Sequence, residues 1–155
     1  MVNIGLVYDQ IRPDERLIID AAKKYDISLT LFDTNQMAFE VTGKQNALGD
    51  TDVMLQRCIS YFRSVHATAA LESYGKIVVN SYKVATTCGN KVLASIRLAQ
   101  AKVPTPRTFL AFTEESALEA LKELGYPAVM KPVVGSWGRL VAQLKIGRAS
   151  CRERV

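Results

Sequence analysis

The alternation of apolar and polar residues in the first half of the chain predicts strands separated by helices. Strands are predicted over residues 2–8, 27–32, 53–55 and 77–79. A first helix should begin at Pro13, with acidic residues in its first turn and an apolar stripe of Leu17, Ile18, Ala21 and Ala22. A second helix is predicted over 60–74, closed by Gly75. This order predicts an α/β fold with a parallel sheet covered by helices.

The polar stretch 33–52, between the second and third strands, predicts a loop. From about residue 81 onwards, the pattern of the chain changes. The second half predicts a helix over 88–101, a connector over 103–108, a strand over 108–111, a helix over 113–124 and a buried strand over 126–130. We therefore expect two domains, 1–83 and 84–145.

The nine residues KPVVGSWGR contain the clearest candidate for a binding loop. Lys131 follows an apolar strand, and Gly135, Ser136 and Gly138 allow tight bends that aim backbone N–H groups at an anion. Arg139 adds a second positive charge. The spacing is not that of a Walker A loop, which reads GxxxxGK[ST]. The pattern predicts phosphate binding, and a structural hairpin with a solvated Lys and Arg is the alternative.

Lys91 is a second candidate cation. It ends the polar segment TTCGNK and opens the helix VLASIRLAQA, so its ammonium group is placed to reach an anion near the first helical turn. Taken alone, Lys91 is more simply explained as a free surface lysine. Together, Lys91, Lys131 and the glycine-rich loop predict a nucleotide site in which two lysines meet the phosphates and the loop closes over them.

Tyr8, Arg12 and Arg57 lie where predicted strands of the first domain end. Open parallel sheets bind ligands at the carboxyl ends of their strands, so these residues are candidates for recognising an acidic substrate or carrier. The alternative is that both arginines are structural ion-pair partners of nearby carboxylates. Those carboxylates are Asp9, Asp14 and Glu15.

Composition narrows the class of protein. The chain has 155 residues, 48% of them hydrophobic, which favours a buried globular core. No apolar run is long enough to span a bilayer and the N-terminus lacks a signal-peptide pattern, so a cytoplasmic location without membrane contact is expected. Three cysteines without CxxC spacing predict neither a disulfide framework nor a zinc site. A GxGxxG fingerprint is absent after the first strand, which argues against a nicotinamide enzyme.

The last ten residues, IGRASCRERV, break the pattern of the chain. They are similar to one reading frame of a common sequencing adapter, and we expect 146–155 to be a non-native read-through tail outside the fold. Three arginines and one glutamate in this segment account for two of the five net positive charges. The remaining charge is too mild to indicate nucleic-acid binding.

Five segments carry a resemblance to a known family: YDQIRPDE, LQRCIS, VVNSYKVATTCGNK, VPTPRT and GYPAVMKPVVGSWGRL. They are spread over residues 1–145. On these segments the chain resembles the ATP-grasp ligases of the LysX type, which join α-aminoadipate or glutamate to the carrier protein LysW; RimK is a more distant relative. The GSWGR sequence of the loop is more specific to this subgroup than the lysine common to ATP-grasp enzymes. The resemblance implies a Rossmann-like pre-ATP-grasp domain followed by the first part of a truncated ATP-grasp domain.

The resemblance also implies roles for particular residues. Lys91 and Lys131 match lysines that contact ATP, and the loop from Val134 to Leu140 matches one that folds over the phosphates. This loop consists of Val134, Gly135, Ser136, Trp137, Gly138, Arg139 and Leu140. Within it, Trp137 either stacks over a substrate or anchors the loop to the core. No catalytic residue and no metal ligand is assigned to this chain.

The implied reaction is carboxylate–amine ligation in lysine or arginine biosynthesis. The γ-phosphoryl group of ATP, with Mg²⁺ bridging phosphate oxygens, would activate the C-terminal carboxylate of an acidic LysW-type carrier as an acyl phosphate. The amino group of a small acidic amino acid then displaces phosphate. A RimK-type glutamate ligase and a non-catalytic module that docks an acidic partner are the alternatives. The full-length enzyme is expected to be a homo-oligomer.

The chain departs from the family pattern after Arg139. No Asp or Glu pair with an Asn partner follows it, so the metal ligands and the residues that select the amino acid are absent from this sequence. We therefore expect an inactive N-terminal portion of the enzyme, in which the strand begun at Arg139 lacks sheet neighbours.

Overall fold

The structure is a computed structural model that describes residues 2–43, 48–135, 138–145 and 148–150. It divides into two compact units, Met1–Thr86 and Thr87–Val155. The helix Tyr82–Gly89 crosses the division along the chain. The assignment of the second unit to part of an ATP-grasp domain stays a prediction, as do the predicted domain boundaries.

The elements of the first unit are β1 (Asn3–Tyr8), α1 (Pro13–Lys24), β2 (Ser28–Asp33), β3 (Val53–Gln56), α2 (Tyr61–Ser73), β4 (Ile77–Val79) and α3 (Tyr82–Gly89). From β1 to β4 the first unit alternates strands and helices as the sequence predicts, whereas the helix α3 that follows was not predicted. Helix α2 begins after the N-cap Ser60, whose side chain accepts from the Arg63 backbone N–H, and ends before Gly75 at φ +78°. The predicted α/β class is confirmed.

The four strands form one parallel sheet in the order β2-β1-β3-β4. The centre of β1 is buried on both faces, with Leu6 and Val7 fully inaccessible. A cluster of Val7, Leu48, Met54, Leu71 and Val78 makes the core. Gly5 lies so close to Met54 that an added Cβ would come within 2.5 Å of its sulfur. Glycine at this position therefore permits the close packing of β1 against β3.

The buried face of α1 differs from the predicted stripe. Leu17 is 69% exposed and Ala21 is also exposed, whereas Ala22 and Glu15 are buried. The predicted stripe was based only on the helical spacing of apolar residues in α1. The ion pair that Glu15 makes with Arg57, beyond β3, accounts for the inward position of this polar side chain.

The polar stretch between β2 and β3 contributes to the core, which the sequence did not predict. Leu48 is 2% exposed and packs in the core cluster, and the Thr51 hydroxyl donates to the Leu48 carbonyl at 2.9 Å. Met37 and Phe39 of the same stretch also pack against this cluster. The stretch was predicted as a loop because of its polar residues and glycines, and only tertiary packing reveals the role of its apolar ones.

The second unit contains α4 (Lys91–Gln100), α5 (Glu114–Leu124), β5 (Ala128–Met130), β6 (Ala142–Lys145) and β7 (Arg148–Ser150). The three strands form an antiparallel sheet in the order β5-β6-β7. Thr113 caps α5 by accepting from the Ser116 backbone N–H, and Gly125 follows its last residue at φ +81°. Both ends of this helix agree with the sequence signals.

Two predicted elements are wrong. The helix expected over 88–101 is interrupted at Asn90, whose side chain accepts from the Val92 and Leu93 N–H groups and so starts α4 afresh. The strand expected over 108–111 is absent, and residues 103–111 carry neither helix nor strand. Pro104 and Pro106 in the preceding connector have no N–H to donate to a sheet.

The predictions for the last strands also need correction. In β5 only Ala128 is buried, and Val129 and Met130 are each 53% exposed. Arg139 lies in a turn rather than a strand, and β6 pairs on both sides, with β5 and β7. Strand β7 lies within 146–155, which the sequence analysis left out of the fold. Whether that segment is native stays a prediction.

Candidate functional site

Lys131 begins the glycine-rich loop directly after β5, as the sequence predicts, and its side chain is exposed. Gly135 has φ +145° and Gly138 has φ +70°, which are conformations that residues with a Cβ rarely adopt. Arg139 and Leu140 are exposed in the turn that follows. The described part of the loop thus has the sharp bends needed to present backbone N–H groups.

Three loop residues of the predicted site need separate mention. Val134 is exposed and precedes Gly135. Ser136 and Trp137 lie outside the described residues. Their predicted roles therefore stay predictions.

Lys91 contacts the same loop through two hydrogen bonds. Its backbone N–H donates to the Val133 carbonyl at 2.9 Å, and its Nζ donates to the Gly135 carbonyl at 2.7 Å. Asn90 fixes Lys91 at the start of α4 by capping that helix. The structure therefore brings Lys91 to the residues that follow Lys131, across a separation of 44 residues from Gly135.

These contacts fit a phosphate-binding arrangement. An ammonium group bound to a loop carbonyl can exchange that acceptor for a phosphate oxygen, and the neighbouring glycine offers no side chain to obstruct the approach. Lysine is a suitable ligand here because its charge is compact and its stem is flexible.

Tyr8, Arg12 and Arg57 lie at the carboxyl edge of the parallel sheet. Tyr8 ends β1, and its carbonyl accepts from the backbone N–H and hydroxyl of Thr34 at 2.8 and 2.9 Å. Arg57 directly follows β3, and its N–H donates to the Val7 carbonyl at 2.8 Å. The structure brings the two arginines together on Glu15, and among the described residues no hydrogen bond joins the Tyr8 side chain to either of them.

Glu15 is fully buried and forms ion pairs with both arginines. Hydrogen bonds from the Arg12 side chain are the main cause that lowers the pKa of Glu15 to about 2, and burial opposes this shift. The bond with Glu15 in turn raises the pKa of Arg12. The carboxylate is therefore ionised at neutral pH.

The structural ion pairs considered in the sequence analysis are thus present for Glu15, and for Asp14 at 3.5 Å from Arg57. Asp9 makes other contacts: its carboxylate accepts from the backbone N–H groups of Ile59 and Ser60 at 2.9 and 3.1 Å. Ion pairing does not exclude a binding role, because both arginine side chains remain partly exposed.

Sequence reasoning missed the capping role of Asn90 and the burial of Glu15. Asn90 precedes an apolar-periodic helix, which is an N-cap signature that the sequence displays. Glu15 was one of three carboxylates considered as ion-pair partners of the arginines, but its burial was not predicted. Its burial has no local signal, because the partner Arg57 lies 42 residues away.

No group of three or more His, Cys, Asp or Glu side chains among the described residues could hold a metal ion. None of the described helices is both long and apolar enough to cross a membrane. An open groove of about 580 Å³ lies beside α5. It is lined by Phe109, Leu110, Ser116, Glu119, Ala120, Lys122 and Glu123, none of which belongs to the predicted site.

Comparison with known proteins identifies the family of the first unit. The family described as LysX preATP-grasp domain matches residues 4–87. The chain is 35% identical over 144 residues to the glutamate–LysW ligase ArgX of Sulfolobus acidocaldarius, covering 93% of this chain and 50% of that protein. It is 37% identical over 134 residues to the α-aminoadipate–LysW ligase LysX of Saccharolobus solfataricus, covering 85% and 48%. The chain spans about half the length of these curated relatives.

Solved structures extend the likeness beyond the first unit. A RimK domain ATP-grasp protein from Sphaerobacter thermophilus matches with a TM-score of 0.75 and 28% identity, covering 92% of this chain and 53% of that one. The ATP-grasp ligase PsnB, solved with a minimal precursor, matches with a TM-score of 0.67 and 18% identity, and so shares the fold. The chain therefore belongs to the LysX preATP-grasp family, as its sequence motifs indicate.

Proposed function

We propose that this chain supplies nucleotide-binding residues to an ATP-dependent carboxylate–amine ligase. The whole protein would join α-aminoadipate or glutamate to the C-terminal carboxylate of a LysW-type carrier through an acyl phosphate. Support comes from the family match over residues 4–87 and from relatives that are named as LysW ligases.

The observation that carries the proposal is the pair of hydrogen bonds from Lys91 to Val133 and Gly135. Through these bonds Lys91 contacts the loop that begins with Lys131, and this contact supports a shared role of the two lysines. A docking module that only grips an acidic partner has no need for such a lysine–loop arrangement, so this observation favours the enzyme.

The residues of the site would act by binding and orientation. Lys91 and Lys131 would neutralise phosphate charge, and the backbone N–H groups of the loop from Val134 to Leu140 would hold phosphate oxygens. When bound, ATP with Mg²⁺ supplies the phosphoryl group that activates the carboxylate. In this proposal Lys91 exchanges the Gly135 carbonyl for a phosphate oxygen.

The proposal includes two amino-acid substrates, glutamate and α-aminoadipate. Relatives named for glutamate and for α-aminoadipate match at similar identity, 35% and 37%. We include both substrates, in arginine and lysine biosynthesis respectively, together with the acidic carrier as partner. A cytoplasmic location and a homo-oligomeric whole enzyme belong to the same proposal.

Nucleotide binding can be tested on the chain itself, because Trp137 is its only tryptophan and lies in the loop. Titration with MgATP should change the tryptophan fluorescence and saturate. Lys131→Ala should weaken binding by at least about tenfold, since a charge-assisted contact is lost. Lys122→Ala is the matched control: this exposed lysine pairs with Glu119 on α5 and should have no effect.

Two outcomes would contradict the proposal. One is the absence of saturable ATP binding in the folded chain, and the other is equal affinity in the Lys131→Ala variant. For the whole protein, we expect ADP formation only when a carrier and an acidic amino acid are both present. ADP formation independent of the carrier would contradict the proposed reaction.

A further inference from the structure

Asn90 interrupts the helical backbone directly before α4. Its φ of −110° and ψ of 113° are extended, and α4 begins at the next residue, Lys91. Its side-chain oxygen accepts from the backbone N–H groups of Val92 and Leu93 at 3.0 and 3.1 Å. Asn90 therefore satisfies two of the N–H groups that the start of a helix leaves without a helical partner.

This interruption determines which acceptor the backbone N–H of Lys91 can use. In a continuous helix, that N–H would donate to the carbonyl four residues earlier, which belongs to Thr87. Because the helix begins anew after Asn90, the Lys91 N–H donates to the Val133 carbonyl at 2.9 Å instead. The extended backbone at Asn90 thus makes a hydrogen-bond donor available to the glycine-rich loop.

Lys91 also contacts the loop through its side chain. Its Nζ donates to the Gly135 carbonyl at 2.7 Å, two residues beyond the carbonyl that its backbone N–H contacts. One residue therefore binds the loop through both its backbone and the end of its side chain. The place where α4 begins, which Asn90 sets, decides where this ammonium group can reach.

Helix stability does not explain a lysine at this position. A positive charge in the first turn is unfavourable, because it lies at the positive end of the helix dipole. The first turn of α4 reads KVLA and has no acidic residue, whereas that of α5 reads EESA. The Lys91 ammonium group is stabilised instead by its hydrogen bond to the Gly135 carbonyl.

We propose that Asn90 is a positioning residue of the phosphate site, which acts through Lys91 and does not itself touch the nucleotide. The inference deepens the proposed function and rests on it, because it takes Lys91 to be a ligand of ATP. The cap holds the Lys91 ammonium group beside the loop before the nucleotide arrives, so less order has to be gained on binding. Loss of the cap should therefore weaken ATP binding beyond its effect on helix stability.

The first test measures MgATP binding to Asn90→Ala through the fluorescence of Trp137. We expect about tenfold weaker binding, because the Lys91 ammonium group is no longer held beside the loop. Asn90→Ser keeps a neutral side-chain acceptor, so its affinity should stay within about twofold of the native value. Thr113→Ala is the matched control, since Thr113 caps α5 by accepting from the Ser116 N–H at 3.2 Å. It should leave ATP binding unchanged.

Urea denaturation of the same variants separates positioning from stability. Asn90→Ala and Thr113→Ala each remove a helix cap, so both should lower the free energy of unfolding. Only Asn90→Ala should weaken ATP binding. Equal weakening by Thr113→Ala, or native affinity in Asn90→Ala, overturns the proposal. If Asn90→Ala does not fold, Asn90→Gly removes the same acceptor at a smaller cost to the helix, and the same outcomes decide.

A double-mutant cycle tests whether Asn90 acts through Lys91. Lys91→Met removes the ammonium group and keeps a long side chain. In that background, Asn90→Ala should weaken ATP binding by less than about threefold, because the group that Asn90 positions is already absent. Losses of affinity that are additive in the double variant overturn the role of Asn90 as a positioning residue for Lys91.

The same titrations distinguish this inference from the proposed function. Saturable ATP binding that Asn90→Ala does not weaken would reject the positioning role and leave the nucleotide proposal standing. The absence of ATP binding in the folded native chain would reject the nucleotide proposal, and the positioning role with it.

Discussion

The two compact units of the chain differ in how they bury their apolar side chains. The first unit has a parallel sheet in which the centre of β1 is buried, and its buried residues include Leu6, Met54 and Leu71. In the described part of the second unit, the only buried hydrophobic residues are Ala128 and Ala142. Core packing therefore stabilises the first unit, whereas the second depends on caps, turns and strand pairing.

The largest expected difference concerns matched leucines on helices of the two units. Leu71→Ala in α2 should lower the free energy of unfolding by about 2–5 kcal/mol, because its side chain is fully buried and leaves a cavity. Leu118→Ala in α5, which is 51% exposed, should cost below about 1 kcal/mol. Urea denaturation followed by circular dichroism measures both, and equal losses would contradict the comparison.

The next effect depends on pH and belongs to the first unit. The pKa of Glu15 is lowered from 4.5 to about 2, so the folded state favours the ionised carboxylate. This contributes roughly 3 kcal/mol above pH 4.5, and the contribution is lost as the pH falls through 2. The free energy of unfolding of Glu15→Gln should lack this component of the acid dependence.

The pH experiment compares urea denaturation of the native chain and Glu15→Gln between pH 7 and pH 2. The difference between their unfolding free energies should be largest at pH 7 and shrink towards pH 2. A constant difference across this range would show that ionisation of Glu15 does not stabilise the fold. Glu119→Gln, in the exposed pair with Lys122, serves as the control for an ion pair in the second unit.

Gly5 and Gly125 test the same difference in packing between the two units, with a smaller expected change in stability. Gly5→Ala should cost about 1–3 kcal/mol through overpacking against Met54, and a second change, Met54→Ala, should relieve part of that cost. In Gly125→Ala the added Cβ would meet no atom of the described residues within 4 Å, and the change should cost about 1 kcal/mol through the φ of +81° alone. Additive effects of Gly5→Ala and Met54→Ala in urea denaturation would argue against the packing explanation.

The smallest effect is expected at Thr68 in α2. Its hydroxyl is buried and has no hydrogen-bond partner among the described residues. Thr68→Val keeps the shape and removes an unsatisfied polar atom, so stability should stay equal or rise by up to about 1 kcal/mol. Thermal denaturation measures the change. A clear loss of stability would show that the hydroxyl has a bonding role.

The sequence by itself determined the order of strands and helices in the first unit and several helix ends. These features depend on local periodicity and on residues such as Ser60, Gly75 and Gly125, whose effects act within a few positions. It also predicted the loop after Lys131 as a candidate phosphate ligand. In the second unit local signals were weaker guides, because exposed strands such as β5 resemble buried ones in sequence.

Only the tertiary structure decided which distant residues meet. The burial of Glu15 between two arginines, the place of Leu48 in the core and the contact of Lys91 with Gly135 join positions far apart in the chain. Local patterns report which face of an element is apolar but not the partner it meets. The free energy of these contacts arises from shape and charge complementarity that exists only once the sheet has assembled.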